Sequence, residues 1–140
     1  MPFDRILVAI DGSQGGQNAL SKALELAQVT GASVSAFAVA GPLPAYAATV
    51  GEVDEVKREK DSFFGAVAAS AREQAEAAGV DFRIEVRAGH AAELITRYAR
   101  DIDADLVVVG HKGHFLSDYL LGSTADRVAH HAHCPVMIVK

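Results

Sequence analysis

The sequence predicts an α/β protein, in which a parallel sheet of five strands carries helices on both of its faces. Five short apolar or alternating runs are separated by four segments in which apolar residues recur at helical spacing. The runs Ile6–Ile10 and Leu106–Val109 are apolar throughout, as is typical of strands buried on both faces. The 140 residues suffice for a substantial core, so we expect residues 1–140 to form a single domain.

The first part of the chain predicts two strands and the helix between them. Arg5–Ile10 predicts strand one, which an Asp-Gly-Ser segment (residues 11–13) ends. Apolar residues then recur at helical spacing until Gly31, which closes the first helix. Ser33–Ala40 predicts strand two because it contains β-branched residues and stops at a Gly-Pro pair. An irregular stretch is expected to follow, from Pro42 to about Gly51.

The rest of the chain continues the alternation. Helical spacing resumes near Val53 and lasts to Gly79, and the alternating run Phe82–Val86 then predicts strand three. Ala92–Ile102 predicts the third helix, with its apolar residues facing inward. Leu106–Val109 and Val136–Val139 predict strands four and five, with a last helix between them.

A glycine-rich loop between strand four and the last helix is the strongest functional signal. It contains Gly110, Gly113 and Gly122, and Ser123 would cap the last helix. Glycines let backbone N–H groups approach a ligand closely, and a helix N-terminus supplies partial positive charge, so the loop suits an anion such as phosphate. Lys112 would either neutralise that anion or point into water. The alternative is that these glycines only make tight turns.

Asp11, at the end of strand one, is the second signal. Open parallel α/β sheets bind ligands beyond the carboxyl ends of their strands, where the strand order reverses. If strands one and four are central neighbours, Asp11 and the Gly110 loop converge on that crevice. Asp11 could instead cap the first helix, a role for which Ser13 competes.

Composition argues against nucleic acid and membrane partners. The net charge is −5 and the thirteen Lys and Arg residues are scattered, whereas a nucleic-acid surface needs a clustered excess of positive charge. No run approaches 18 apolar residues, and residues 1–13 lack the layout of a signal peptide. The single cysteine, Cys134, cannot form an internal disulfide. We therefore expect a cytoplasmic protein.

Three other chemistries do not fit the sequence. Residues 130–134 (His-His-Ala-His-Cys) make a poor metal site, because adjacent histidines on a regular helix cannot both face one metal and no second ligand cluster exists. A phosphotransfer receiver needs an aspartate at the end of strand three, where this chain has Val86-Arg87-Ala88-Gly89. The Walker motif is absent. We expect no metal ligands, and no catalytic residue is assigned.

Ordered motifs along the whole chain resemble the universal stress protein family. These are the early Asp-Gly-Ser, the segment Ala88–Ile95 before the third helix, the late Gly-x-x-Gly, the Gly-Ser helix start and the terminal Cys-Pro-Val-x-x-Val. Each motif is weak alone, whereas the ordered set, which spans Ile6 to Lys140, is fairly specific.

The resemblance implies a doubly wound, Rossmann-like fold of the adenine nucleotide alpha hydrolase type, with strand order 3-2-1-4-5. It also implies a role in stress response, a dimer and, as in many members, binding of ATP, with Mg2+ as a companion ion and AMP or ADP as alternative ligands. By this resemblance Asp11 contacts the adenosine portion, and Ala9, Ile10 and Val39 flank the base. The other implied nucleotide contacts are Val109, Gly110, Lys112, Gly113, Gly122, Ser123 and Thr124.

The glycine spacing departs from the family pattern. ATP-binding members typically have nine residues between the second and third glycines, and this chain has eight, between Gly113 and Gly122. The loop can absorb the deletion, because loop-length costs are modest, or the deletion tilts Gly113 away from Ser123. We predict an ATP-binding regulatory protein that acts as a nucleotide-dependent dimeric switch or partner-binding domain. The alternatives are a nucleotide-free dimeric interaction module and a slow ATPase, for which no side chain is an evident base.

The last predicted strand, Val136–Val139, is apolar throughout and has no following element to cover it. An exposed edge of this kind either pairs with another strand or aggregates. Antiparallel pairing with a second copy across a twofold axis is the simplest solution. We therefore predict a homodimer through strand 136–139, in addition to an unidentified protein partner.

Overall fold

The five strands form one parallel sheet. The computed structural model describes residues 3–40, 50–111 and 123–140. Neighbouring strands follow the order β3-β2-β1-β4-β5, and all four pairs are parallel. This confirms the expected fold class and strand order. The strands are β1 (Arg5–Ile10), β2 (Ser33–Ala40), β3 (Phe82–Ala88), β4 (Leu106–Gly110) and β5 (Val136–Val139).

Helices cover both faces of the sheet. Within the described ranges they are α1 (Gln14–Thr30), α2 (Val50–Ala78), α3 (Ala91–Asp101) and α4 (Ser123–His131). Strand β1 shows how the two faces are divided. Ile6 and Val8 pack with α1 and α2 in one apolar cluster, whereas Leu7 packs with α3 and α4 in another. The sheet is therefore doubly wound, as expected.

The central strands are apolar because both of their faces lie in the core. Leu7, Val8, Val107 and Val108 are fully buried, although they alternate between the two faces of the sheet. In a sheet covered on both sides, every position of a central strand is an interior position, which explains the continuous apolar runs. Burying each such side chain stabilises the fold by roughly 1.5–3 kcal/mol.

Ser13 and Gly31 determine where α1 begins and ends. Ser13 is the N-cap, and its Oγ accepts a hydrogen bond from the N–H of Gly16 at 3.1 Å. Gly31 adopts the left-handed conformation, with φ of 78°, and its N–H donates to the carbonyl of Ala27 at 2.8 Å. Of the two candidate caps, Ser13 rather than Asp11 therefore caps α1.

Two element boundaries differ from the sequence predictions by more than one residue. Helix α2 begins at Val50, so Gly51 is helical and does not belong to the irregular stretch that the sequence predicts. Residues 42–49 of that stretch lie outside the described residues. Strand β3 continues to Ala88, beyond the predicted end at Val86. Backbone pairing with β2 persists as far as Ala40 opposite Ala88, and apolar and charged residues alternate to the same point.

Candidate functional site

A cavity of about 260 Å³ lies at the carboxyl end of the sheet, where the strand order reverses between β1 and β4. Its walls come from the ends of β1, β2 and β4 and from the amino-terminal halves of α1, α3 and α4. In a parallel α/β sheet each strand leads into the start of a helix at this edge, so strand ends and helix starts converge there. This is the crevice in which such sheets bind ligands.

The cavity brings together most of the residues that the sequence predicted for the site. Lys112, Gly113 and Gly122 lie outside the described residues, and Ser123 is the first residue of α4. The predicted residues that line the cavity are Ala9, Ile10, Asp11, Val39, Val109, Gly110 and Thr124.

Other residues line the cavity without having been predicted to do so. A signal for Gly15 and Gly16 was present, because two glycines in a first helical turn disfavour the helix and point to close packing. Phe37 and Ile95 gave no such signal, since periodicity shows that a side chain is buried but not that it borders a cavity. The additional lining residues are Ser13, Gly15, Gly16, Phe37, Ala91, Ile95 and Ala125.

The carboxylate of Asp11 lies against the first turn of α1. Its Oδ1 accepts hydrogen bonds from the N–H of Ser13, at 2.9 Å, and from the Ser13 hydroxyl. A Cβ atom added to Gly16 would lie 3.0 Å from the same oxygen. The negative charge of Asp11 therefore complements the partial positive charge at the start of α1. A second anion is disfavoured at this position.

Gly110 is required by the packing of α1 on β4. A Cβ atom at Gly110 would lie 2.9 Å from the Cα of Gly15 and closer still to the Gly15 carbonyl group. From the other side, a Cβ at Gly15 would lie 3.3 Å from the carbonyl oxygen of His111. The backbones of α1 and β4 thus meet directly at the cavity. The glycine that the sequence assigned to phosphate binding therefore also has a packing role.

The backbone amide of His111 is used by the sheet. It donates a hydrogen bond to the carbonyl of Val139 at 2.7 Å, which extends the pairing of β4 with β5 by one residue. This amide does not face an anion in the cavity. The first amide after β4 is therefore not available to bind phosphate.

An aromatic pair lies on the β2 side of the cavity. The rings of Phe37 and Tyr98 stack with 4.5 Å between their centroids and 20° between their planes. Phe37 borders the cavity, and Tyr98 lies beside Arg87 of β3. Burial is the largest cause of the raised pKa of the Tyr98 phenol, and the negative charge of Glu85 raises it further. The positive charge of Arg87 lowers this pKa and so opposes the shift.

Within residues 3–40, 50–111 and 123–140, no three His, Cys, Asp or Glu side chains come together in a way that could hold a metal ion. None of the helices in those ranges is both long enough and apolar enough to cross a membrane.

A model of the universal stress protein family matches residues 2–140. The chain belongs to the universal stress protein family. Two members of the family match nearly the whole sequence. A universal stress protein of Methanocaldococcus jannaschii is 33% identical over 144 residues, which cover 99% of this chain and 82% of that protein. The universal stress protein YxiE of Bacillus subtilis is 29% identical, with 99% of each chain covered.

Solved structures of the family share this fold. Universal stress protein UspA from Lactobacillus plantarum matches with a TM-score of 0.86 at 23% identity, covering 100% of this chain and 99% of that one. A universal stress protein solved in complex with cAMP has a TM-score of 0.74 at 25% identity, covering 100% and 98%. An Arabidopsis thaliana member with AMP bound has a TM-score of 0.72 at 18% identity, covering 98% of this chain and 91% of that one. An Archaeoglobus fulgidus member in complex with dAMP has a TM-score of 0.64 at 21% identity, covering 100% of both chains.

Proposed function

We propose that this universal stress protein binds an adenine nucleotide, and specifically ATP, in the cavity between β1 and β4. The observation that carries the proposal is that Asp11, Val39, Gly110 and Thr124, which are distant in sequence, line one cavity where the strand order reverses. The relative solved in complex with cAMP supports an adenine nucleotide, because it shares the fold over the whole chain at 25% identity.

The charges around the cavity favour one orientation of the ligand. The β2 side is apolar, with Phe37 and Val39, and suits the base. Asp11 repels phosphate but can accept hydrogen bonds from ribose hydroxyls. The phosphates would then extend toward the start of α4, where Thr124 lines the cavity and the helix N-terminus favours negative charge.

The remaining phosphate contacts of this proposal are those expected from the sequence, namely Lys112, Gly113, Gly122 and Ser123. Mg2+ would accompany the triphosphate. Because Mg2+ at nucleotide sites keeps several waters and binds mainly to substrate phosphates, it needs few ligands from the protein. A dedicated cage of carboxylates is therefore not required.

We infer a regulatory role instead of rapid turnover. Among the described residues that line the cavity, Asp11 is the one ionisable side chain, and its carboxylate already accepts two hydrogen bonds from Ser13. A general base for attack by water must be free to take a proton near the phosphates. In the proposed orientation Asp11 lies beside the ribose. Binding of ATP would instead change the surface that a second copy or a protein partner recognises, in the cytoplasm.

Isothermal titration calorimetry with ATP, AMP and cAMP tests the proposal. We expect saturable binding of ATP that Asp11→Asn weakens, because the amide accepts ribose hydroxyls less strongly than the carboxylate. The matched control is Asp81→Asn, since Asp81 precedes β3 at the opposite end of the sheet. Gly113→Val should weaken the binding of ATP more than the binding of AMP. The absence of heat with all three nucleotides at millimolar concentration, together with no nucleotide released on denaturation, would refute nucleotide binding.

The two edges of the sheet differ in charge, which favours a dimer through β5. Edge strand β3 carries Arg83, Glu85 and Arg87, and charged side chains on an edge oppose pairing with another strand. Edge strand β5, Val136–Val139, carries no charged residue. We infer that β5 pairs with the β5 strand of a second copy.

Light scattering coupled to size exclusion tests the dimer. Ile138→Lys should produce a monomer, because it places a charge in the proposed interface. Val86→Lys is the matched control, since Val86 lies on the other edge strand and is 43% exposed. If Ile138→Lys remains a dimer, the dimer interface does not involve β5.

A nucleotide-free interaction module is the second candidate. The eight-residue spacing between Gly113 and Gly122 favours it, and so does the bond of the His111 amide to Val139, which removes one amide from the loop. In that case calorimetry shows no nucleotide binding while the dimer persists. The two candidates are thus separated by the experiments above.

A further inference from the structure

Beside the cavity, four side chains form what we call the Arg87 cluster: Phe37, Glu85, Arg87 and Tyr98. Glu85 and Arg87 lie on edge strand β3, next to β2. In the β2–β3 register Glu85 is opposite Phe37, and Arg87 is opposite Val39. Directly paired residues of neighbouring strands project from the same face, so the two charged side chains lie beside the two β2 residues that line the cavity.

The distances in the cluster place the guanidinium alongside the aromatic pair. Its central carbon is 5.8 Å from the centroid of the Phe37 ring and 5.5 Å from that of Tyr98, while the two centroids are 4.5 Å apart. Both guanidinium distances are within the range of a cation–π interaction, about 6 Å, so Arg87 lies close enough to interact with both rings.

Glu85 holds the guanidinium in this position. Its Oε1 accepts a hydrogen bond from Nη2 of Arg87 at 2.9 Å. The Arg87 side chain is 43% exposed and that of Glu85 38% exposed, so the ion pair itself adds little to folding stability. Phe37, in contrast, is fully buried and forms part of the cavity wall. Arg87 can therefore influence the cavity through Phe37 without being needed for the fold.

We propose that Arg87 is a positioning residue for the base of the bound nucleotide. It holds the ring of Phe37, and with it the β2 wall of the cavity, in the orientation that receives the base. This inference rests on the proposed nucleotide binding and adds a determinant of affinity on β3, outside the residues that line the cavity.

The position of Arg87 separates a role at the base from a role at the phosphates. Strand β3 lies three strand spacings from β4, which is roughly 14 Å at about 4.8 Å per spacing. The Debye length at physiological ionic strength is about 8 Å. Direct attraction between Arg87 and phosphates at the start of α4 is therefore largely screened. The effect of Arg87 on affinity therefore acts through the base, and its size does not depend on the number of phosphates that the ligand carries.

Calorimetry of Arg87→Ala with adenosine, AMP, ATP and inorganic tripolyphosphate tests this. We expect the dissociation constants of the three adenine ligands to rise by the same factor, about two- to five-fold, which is the range of an exposed cation–π contact. Tripolyphosphate, which has no base, should bind as it does to the unaltered protein. Arg83→Ala is the matched control, because it removes the same charge from the same face of the same strand.

Two further variants distinguish positioning from charge. Arg87→Lys keeps the charge but loses the planar group, so it should restore less than half of the lost binding free energy. In protein labelled with 13C-tyrosine, adenosine should shift the Tyr98 ring signal, identified with Tyr98→Phe, and Arg87→Ala should reduce that shift. A purely structural role would leave this response unchanged.

The possible outcomes are distinct. Equal affinities of the unaltered protein and Arg87→Ala for all adenine ligands would overturn the role of Arg87 and leave nucleotide binding intact. If Arg87→Ala loses more affinity for ATP than for adenosine, the role at the base is also overturned, and a direct contact between Arg87 and the phosphates is favoured instead. If the unaltered protein binds no adenine ligand, the proposed function fails, and the role of Arg87 fails with it.

Discussion

Replacing Gly110 with alanine tests the contact between α1 and β4 that forms one side of the cavity. The new Cβ would lie 2.9 Å from the Cα of Gly15, and closer still to the Gly15 carbonyl group. No side chain can rotate to relieve this clash, because the obstacle is the backbone of the first turn of α1. The helix start must move, or β4 must bend, and either movement displaces residues that line the cavity.

The expected destabilisation follows from this geometry. Overpacking in a core typically costs about 1–3 kcal/mol, and a backbone obstacle places Gly110→Ala at the upper end, near 3 kcal/mol. For a chain of this length that lowers Tm by roughly 10 °C. Gly65→Ala is the matched control, because Gly65 lies within α2 and an added Cβ would meet nothing within 4 Å. That change should instead stabilise by about 0.5–1 kcal/mol.

Urea and thermal unfolding, followed by circular dichroism, measure both variants. We expect opposite signs for the two glycine-to-alanine changes, and weaker ATP binding for Gly110→Ala alone. If Gly110→Ala is as stable as the unaltered protein, then α1 and β4 do not meet as described, and the argument that Gly110 has a packing role is wrong.

Three further predictions each concern a single side chain. Ser13→Ala removes the N-cap of α1 and should destabilise the fold by about 1 kcal/mol in urea unfolding; no change would show that another group caps the helix. The pKa of Tyr98 is raised in the folded state, so its stabilising contribution is present below the ordinary pKa near 10 and is lost as the pH rises through the folded value. Between pH 9 and pH 11 the free energy of unfolding should therefore fall more for the unaltered protein than for Tyr98→Phe. Burial raises the pKa of the Cys134 thiol, and the negative charge of Asp105 adds a smaller increase. At pH 8 iodoacetamide should therefore modify this thiol more slowly in the folded protein than in the unfolded protein. Equal rates would contradict the burial of Cys134.

Local features were sufficient to predict the strands, the helices and the α/β class, whereas the strand order was predicted from the family resemblance. Apolar runs such as Leu106–Val109 mark central strands, since both faces of a doubly wound sheet are interior. Ser13 and Gly31 mark the ends of α1 through hydrogen bonds that involve only neighbouring residues. The end of β3 was placed two residues too early, although apolar and charged residues alternate as far as Ala88, where pairing with β2 also ends.

Part of the candidate site could not be predicted, because it depends on contacts between distant segments. The proximity of Gly15 to Gly110 and the bond between His111 and Val139 require the folded backbone. The stacking of Phe37 on Tyr98 joins a strand to a helix about sixty residues further along the chain. Periodicity predicts that such side chains are buried, but it does not identify their partners.

The most direct test of the central claim is a 15N–1H NMR titration of the protein with adenosine and with ATP. If the base lies against β2 and the phosphates extend toward α4, adenosine should shift the amides of Ala9 and Val39, and ATP should in addition shift those of Thr124 and Ala125. Shifts confined to the opposite end of the sheet, near Asp81 and Asp105, or no shifts at millimolar ATP, would contradict a nucleotide site in this cavity.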